Sequence, residues 1–367
     1  MKPTIVQVVQ HLTPGGIETM ALDLMHQLED RADVHIVSLE STPDVASEKW
    51  PRLKPHLERL HFLDKQPGHS LGTLFKLRSL LLDLNATAVH SHHIGPLLYG
   101  GLAAKIAGLK SHVHTEHDAW HLNVERSARL QRWLLRALKP TLVADCEVVA
   151  HELTYHCPDS EPKVILNGVD TERFIPASTQ RKALLRERLG LPSDHLLIGC
   201  AARLEHVKGH QYLLEALSMT SNTTLLLAGN GSLRQALKDQ AKRLEISDRV
   251  RFLGNLDHMV PFYQVLDLFC LPSLNEGLPL SPLEAQACDV PVIVTNVGGC
   301  ANVICPNSGC LLPAADVEAI RQAILCFQYA NPNQHPRNFV LRVGNLKRTA
   351  NAYLSLLHPE TEEICHG

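Results

Sequence analysis

A chain of 367 residues is too long for one ordinary α/β domain and comfortable for two, each able to bury its own core. Hydrophobic content of 45% and charged content of 20% exclude a disordered or fibrous protein. The formal net charge of −3 supplies no overall attraction to polyanions, so no nucleic-acid partner is expected.

The chain begins Met-Lys-Pro-Thr and enters an apolar strand directly, without the apolar core and cleavage site of a secretion signal. No apolar run approaches the ~20 residues of a membrane span. The ten cysteines are scattered singly with no C-x-x-C pair, and the spacing of five in Cys300, Cys305 and Cys310 fits no common zinc pattern. Free, mostly buried thiols in a reducing compartment are expected, and the protein is expected to be cytoplasmic.

Short β-branched runs alternate with amphipathic stretches almost from end to end. Strands are expected at Thr4–Val9, Val34–Leu39, Thr87–His92, Ser111–Thr115, Thr141–Asp145 and Lys163–Leu166. Helices are expected at Ile17–Leu28, Leu71–Leu84 and Arg129–Leu138. The rhythm pauses after Asn167-Gly168-Val169-Asp170 and restarts with strands at Leu196–Ala202, Thr223–Ala228, Val250–Leu253, Leu268–Leu271 and Pro291–Thr295. Helical patterns at Gly209–Met219, Leu233–Leu244 and Pro282–Cys288 separate these. Such alternation predicts parallel sheets built from right-handed crossovers, hence an α/β protein of two Rossmann-like domains, 1–170 and 171–338, facing a central cleft. A polar segment, Asn331–Asn338, precedes a last helix at about Phe339–Leu357 that could cross back to the first domain.

Three loops carry chemistry. Pro14-Gly15-Gly16-Ile17-Glu18 follows the first strand, where glycines entering a helix let backbone amides approach an anion, although a tight strand–helix turn needs glycine without any ligand. It is neither G-x-G-x-x-G nor a Walker loop. Arg203 and Lys208 lie five apart on a strand-end loop and can converge on a diphosphate, or simply be solvated. The segment from Ser273 to Ala285 joins a buried strand to a helix and carries Glu276 and Glu284, eight apart. Ser281, Pro282 and Glu284 form a capping-box pattern, so Glu284 can be read as a cap. Nothing in the local pattern demands Glu276.

With these motifs in place the chain resembles the retaining GT-B glycosyltransferases of family 4 (glycosyl transferases group 1). The resemblance spans nearly the whole chain and is densest from Ala201 to Leu312. Glu276 and Glu284 match that family's E-x7-E motif, and Arg203 and Lys208 its paired cations. Ala228-Gly229-Asn230-Gly231, Phe252-Leu253-Gly254 and Pro291–Gly299 match its sheet-end loops, and Asn167–Asp170 its N-G-V-D link.

The resemblance implies a GT-B fold whose first domain binds the acceptor and whose second binds a nucleotide sugar. Arg203 and Lys208 would grip the donor diphosphate, with Gly15 and Gly16 approaching it from the other domain. Glu276, with the amides of Gly277 and Leu278, would hold the transferred sugar. Glu284 would bind the ribose, and Asn230 and Leu253 lie on loops near the nucleotide. His117 matches the family's active-site histidine. Two departures stand out: Asn302 where the pattern usually has Glu, which leaves the donor unnamed, and Asp289 where a helix-terminating Gly is usual, a position that Asp tolerates.

The implied reaction is a retaining transfer to a saccharide or lipid-linked saccharide, as in bacterial surface polysaccharide or lipopolysaccharide synthesis. A nucleotide-sugar epimerase or a non-catalytic sugar-binding protein would share the fold; the intact Arg203, Lys208, Glu276 and Glu284 favour a transferase. No cofactor or metal is expected, because the Asp-x-Asp of metal-dependent transferases is missing. His90, His92, His93, His112, His114, His117 and His121 show no familiar metal spacing. Finally, Arg126, Arg129, Arg132, Arg136 and Lys139 make a basic stretch with no acidic residue among them. It reads either as an ordinary amphipathic helix or as contact with an anionic membrane surface, which would make the protein peripheral on the inner membrane face.

Overall fold

The computed structural model describes residues 2–328 and 335–358; residues 331–334 of the polar segment lie outside that range. The chain forms two compact units. One consists of the residues up to Gly168 together with the chain from Leu346 onward, the other of Val169–Asn345.

Among the described residues, the first unit carries a seven-stranded parallel sheet in the order β3-β2-β1-β4-β5-β6-β7. Its strands are β1 (Thr4–Val9), β2 (Asp33–Ser38), β3 (Leu60–Phe62), β4 (Ala88–His92), β5 (Ser111–Glu116), β6 (Thr141–Ala144) and β7 (Lys163–Val164). The inner strands are buried on both faces, as expected of a parallel sheet covered by crossover helices. The helix Ile94–Ala107 lies against β4, and a Cβ at Gly100 would come tightly against Val8 and into ordinary contact with Val89.

The described residues of the second unit form a six-stranded sheet in the order β10-β9-β8-β11-β12-β13. Its strands are β8 (Leu196–Ala201), β9 (Thr223–Ala228), β10 (Val250–Gly254), β11 (Leu268–Leu271), β12 (Val292–Thr295) and β13 (Cys310–Leu312), all parallel. In both sheets the strand order reverses on either side of the first strand in sequence. That leaves a crevice at the carboxyl ends of β1 and β4, and another at those of β8 and β11.

The expected last helix is two helices, Pro336–Val343 and Leu346–Leu357, interrupted at Gly344. Val169 donates its amide to the Gly344 carbonyl and bridges to Asn345, which holds the break. The earlier helix packs on Ser281–Ala287 of the second unit. The later one packs on β5 and on Gly16–Leu28 of the first, where the Tyr353 hydroxyl lies 3.1 Å from Thr115 Oγ1. Asp289 does adopt the left-handed conformation (φ 63°), and its carboxylate accepts from the Arg337 amide.

Candidate functional site

In the second unit the candidate residues occupy loops at the carboxyl ends of the strands. Arg203 lies just past β8 and is exposed; Lys208 ends a short turn, His206–Lys208. Glu276, Gly277 and Leu278 follow β11, Asn230 follows β9, and Leu253 is in β10, exposed. Backbone bonds tie these loops together: Leu204 donates to Asn230, Leu274 to Val207, and Gly299 to Gly277. Two glycines permit this approach. Gly209 (φ 66°) and Gly298 (φ 50°) are left-handed, and a Cβ on either would run into the carbonyl of Pro272 or of Glu276.

Lys208 and Glu276 meet directly. Lys208 Nζ lies 2.7 and 2.8 Å from the two carboxylate oxygens, and Ser273 Oγ donates to Oε1 at 2.5 Å. Glu276 is buried, so its charge depends on these partners. Nothing in the local pattern demands Glu276, and the structure shows what does hold it: Lys208, 68 residues away in sequence, with Ser273 as a local donor.

The capping-box reading of Glu284 is corrected. Ser281 is already helical, the N-cap is Leu280, and no side chain caps it. Glu284 instead accepts a 2.6 Å bond from the buried Tyr263 hydroxyl. Burial, and then the Glu284 charge, push the tyrosine well above its usual range and keep it a donor.

In the first unit Gly15 is the N-cap of the helix Gly16–Leu28. A Cβ at Gly15 would meet Oε2 at the end of the Glu18 side chain, which could swing aside, and Gly16 meets no obstacle. Glu18 is buried, with His11 Nε2 3.5 Å from Oε1, and burial raises its pKa against the pull of His11.

The histidines fall on two faces, following the β4–β5 register of His90 on Val113 and Ser91 on His114. On one face Ser91 Oγ bridges His112 (2.9 Å) and His114 (3.0 Å), and His114 Nε2 reaches Glu116 Oε1 at 2.9 Å. Gln131 donates to the same oxygen, and His93 Nδ1 lies 3.2 Å from Oε2. On the other face His90 meets Thr115 (2.8 Å), and His92 Nδ1 lies 3.0 Å from His117 Nε2. Among the described residues no group of three or more His, Cys, Asp or Glu is arranged to hold a metal ion.

Sequence reasoning missed His93 as a special position. It caps the helix Ile94–Ala107 at φ 68°, ψ 168°, a region left almost wholly to glycine, at a cost of order 1–3 kcal/mol. Burial would lower its pKa, but the hydrogen bond and charge of Glu116, with Asp118, raise it to about 9. No sequence pattern carries this signal, because it depends on where β5 places Glu116.

Two doubly wound parallel sheets with a basic and acidic loop constellation at their strand ends define a two-domain enzyme of the GT-B type. The model of glycosyl transferases group 1 matches residues 181–327, and that of glycosyltransferase family 4 matches residues 14–173. An Escherichia coli UDP-Gal:alpha-D-GlcNAc-diphosphoundecaprenol alpha-1,3-galactosyltransferase is 30% identical over 70% of this chain and 70% of its own. EpsF of Bacillus subtilis, a protein assigned to the glycosyltransferases, is 27% identical over 80% of this chain and 79% of its own. Anabaena HepE, solved with UDP and glucose, shares the fold at a TM-score of 0.83 and 21% identity, covering 97% of this chain and 100% of its own. The chain belongs to the family 4 glycosyltransferases and is a transferase enzyme.

Two measurements test the site. Glu276→Gln should destabilise the protein by about 1–3 kcal/mol, because Lys208 and Ser273 lose their charged acceptor; a denaturation midpoint equal to wild type would remove the pair from the stability of the unit. The raised pKa of His93 has a definite sign. Its contribution is complete below about pH 6.5, the ordinary histidine value, and is lost as pH rises through about 9. Stability should fall across that window by at most about 3 kcal/mol, and His93→Gln should flatten the fall; an unchanged slope would contradict it.

Proposed function

We propose that the enzyme moves a sugar, with retention of configuration, from a nucleotide-sugar donor to a saccharide or lipid-linked saccharide in bacterial surface polysaccharide or lipopolysaccharide assembly. The observation that carries this reading is the Lys208–Glu276 pair at the carboxyl ends of the second sheet, on loops that also carry Arg203. A departing nucleoside diphosphate needs fixed positive charge where its own charge develops, and Arg203 and Lys208 provide it. Lys208 released towards the diphosphate frees Glu276 to accept from sugar hydroxyls. Glu284 receives the ribose, and the acceptor is held by the first unit. With no carboxylate assigned as nucleophile, attack occurs on the face the diphosphate leaves, and that phosphate accepts the acceptor's proton. The names of the relatives support the donor and acceptor classes: one uses UDP-Gal and a diphosphoundecaprenol-linked sugar, and another was solved with UDP and glucose. The cations take the place of a metal, so no cofactor is assigned.

Transfer should proceed unchanged in excess EDTA and give a product of the donor's anomeric configuration, read by NMR. Arg203→Ala should lower turnover by about 10²-fold. Loss of activity restored by a divalent ion, an inverted product, or a fully active Arg203→Ala enzyme would each refute the corresponding part.

We also propose a cytoplasmic enzyme that touches the inner membrane face through the helix Glu125–Leu138 and Lys139. No helix among the described residues is long and apolar enough to cross a membrane. Arg129 and Arg132 share Glu125 (3.5 and 2.9 Å), Arg132 also holds the His156 carbonyl, and Arg136 pairs with Asp159 at 2.6 Å. These pairs reduce the positive surplus, while Arg126 and Lys139 are exposed and Trp133 is 54% exposed. Each basic residue near an anionic surface contributes about 1 kcal/mol, so attachment should be weak. Vesicles containing phosphatidylglycerol should pellet the protein at low salt and release it at high salt, and Arg126→Glu, Arg129→Glu with Trp133→Ala should abolish this. Binding that survives those changes would move the contact elsewhere.

A further inference from the structure

His117 is the histidine that the family pattern singles out, yet both of its ring nitrogens are already engaged inside the first unit. Nε2 lies 3.0 Å from His92 Nδ1, and Nδ1 lies 3.5 Å from Asp145 Oδ2. It can therefore meet a substrate hydroxyl through a ring nitrogen only by giving up one of these. The rings of His117 and His92 lie edge to edge, their planes 25° apart and their centroids 5.3 Å apart, and all three residues are buried at the carboxyl edge of the sheet, where β4 and β6 end.

The tautomers follow from the acid at one end. Asp145 Oδ2 faces His117 Nδ1 and accepts from Asn167 Nδ2 at 3.4 Å, and the Cys146 thiol also bonds to this carboxyl group. A carboxylate among donors requires His117 to carry its proton on Nδ1, since a bare Nδ1 would set lone pair against lone pair. With a neutral imidazole at His117, Nε2 is an acceptor and His92 gives it the proton of its own Nδ1. That leaves the lone pair on His92 Nε2. This atom is buried and has no hydrogen-bond partner among the described residues, in a side chain only 1% exposed. Burial, with His90 and His117 beside it, holds the His92 ring neutral, so the lone pair is not consumed by a proton. A buried acceptor without a donor is unfavourable, and a ligand that supplies the donor relieves the penalty.

We propose that Asp145, His117 and His92 form a relay of fixed tautomers whose free end, His92 Nε2, accepts a hydrogen bond from a hydroxyl of the saccharide acceptor. Asp145 is the positioning residue and His92 the residue that meets the sugar. The assignment rests on the proposed transferase reading, with the acceptor in the first unit.

The test uses the full chain with 15N-labelled histidine, assigned through His92→Gln and His117→Gln. Ring correlation spectra of the wild type should show both residues protonated on Nδ1. In Asp145→Asn the amide donates to His117 Nδ1, so both rings should switch to the Nε2-protonated form. A saturating methyl α-glucoside, methyl α-galactoside or methyl α-mannoside should shift the His92 Nε2 signal in wild type and not in Asp145→Asn. Thermal shifts with UDP-glucose and GDP-mannose should be the same for both proteins. A wild-type His92 protonated on Nε2, tautomers that ignore Asp145→Asn, or an Nε2 signal that none of the glycosides moves would overturn the relay. If neither nucleotide sugar binds the wild type, the donor is of another kind, and the tautomers still decide the relay.

Discussion

Parallel pairing throughout both sheets is the constraint on which the candidate sites depend. With every strand running the same way, all carboxyl ends gather at one edge, and crossovers leaving to either side of the first strand open a crevice there. Gly15–Glu18 follow β1, and His93 follows β4. Arg203–Lys208 follow β8, and Glu276 follows β11. Residues far apart in sequence are collected by strand direction alone, before any side chain makes a contact. The loops then need only the correct residue at their tips and, at Gly209 and Gly298, the absence of a Cβ.

What each loop tip holds is decided by the cost of burying charge. Three buried carboxylates meet that cost differently. Glu276 takes an ammonium and a hydroxyl, Glu284 takes a tyrosine hydroxyl, and Glu116 takes two histidines and an amide. For Glu116, burial opposes ionisation, but the bonds from His114 and His93 hold its pKa well below the usual range. The same bonds make His93 basic, so this corner of the first unit carries a fixed internal ion pair on a strained backbone. Activity and stability are coupled wherever such a group also faces a substrate.

The strands were legible where they were long and alternated with helices. Thr4–Val9, Thr223–Ala228 and Leu268–Leu271 fall where β-branched and leucine runs place them. Three-residue strands such as β3 and β13 have no periodicity to read and exist because an edge was available for pairing. The break falls at Gly344, a weak helix former inside a periodic pattern, and the bond to its carbonyl from Val169 is a contact that no local pattern announces. Family spacing pointed to Glu276, Lys208 and Arg203, but the bond between Glu276 and Lys208 spans 68 residues and no local motif announces it. The apparent capping box at Ser281 failed for the opposite reason. The local pattern was complete, and a tertiary partner, Tyr263, took the glutamate.

On the proposed reaction, the Lys208–Glu276 pair has a consequence for donor binding. A lone lysine aimed at an unfilled phosphate site would face a desolvation penalty, and Lys208 is largely buried, with a side chain 16% exposed. Glu276 supplies the counter-charge. A nucleoside diphosphate would bring more negative charge than one carboxylate and would also have Arg203 within the same strand-end loop. It therefore competes for the ammonium on favourable terms, while the released carboxylate gains sugar hydroxyls as donors. The net change on binding is an exchange of partners rather than the burial of new bare charge. Donor affinity then rests on the difference between two sets of contacts, and a substitution at either member alters both sets at once.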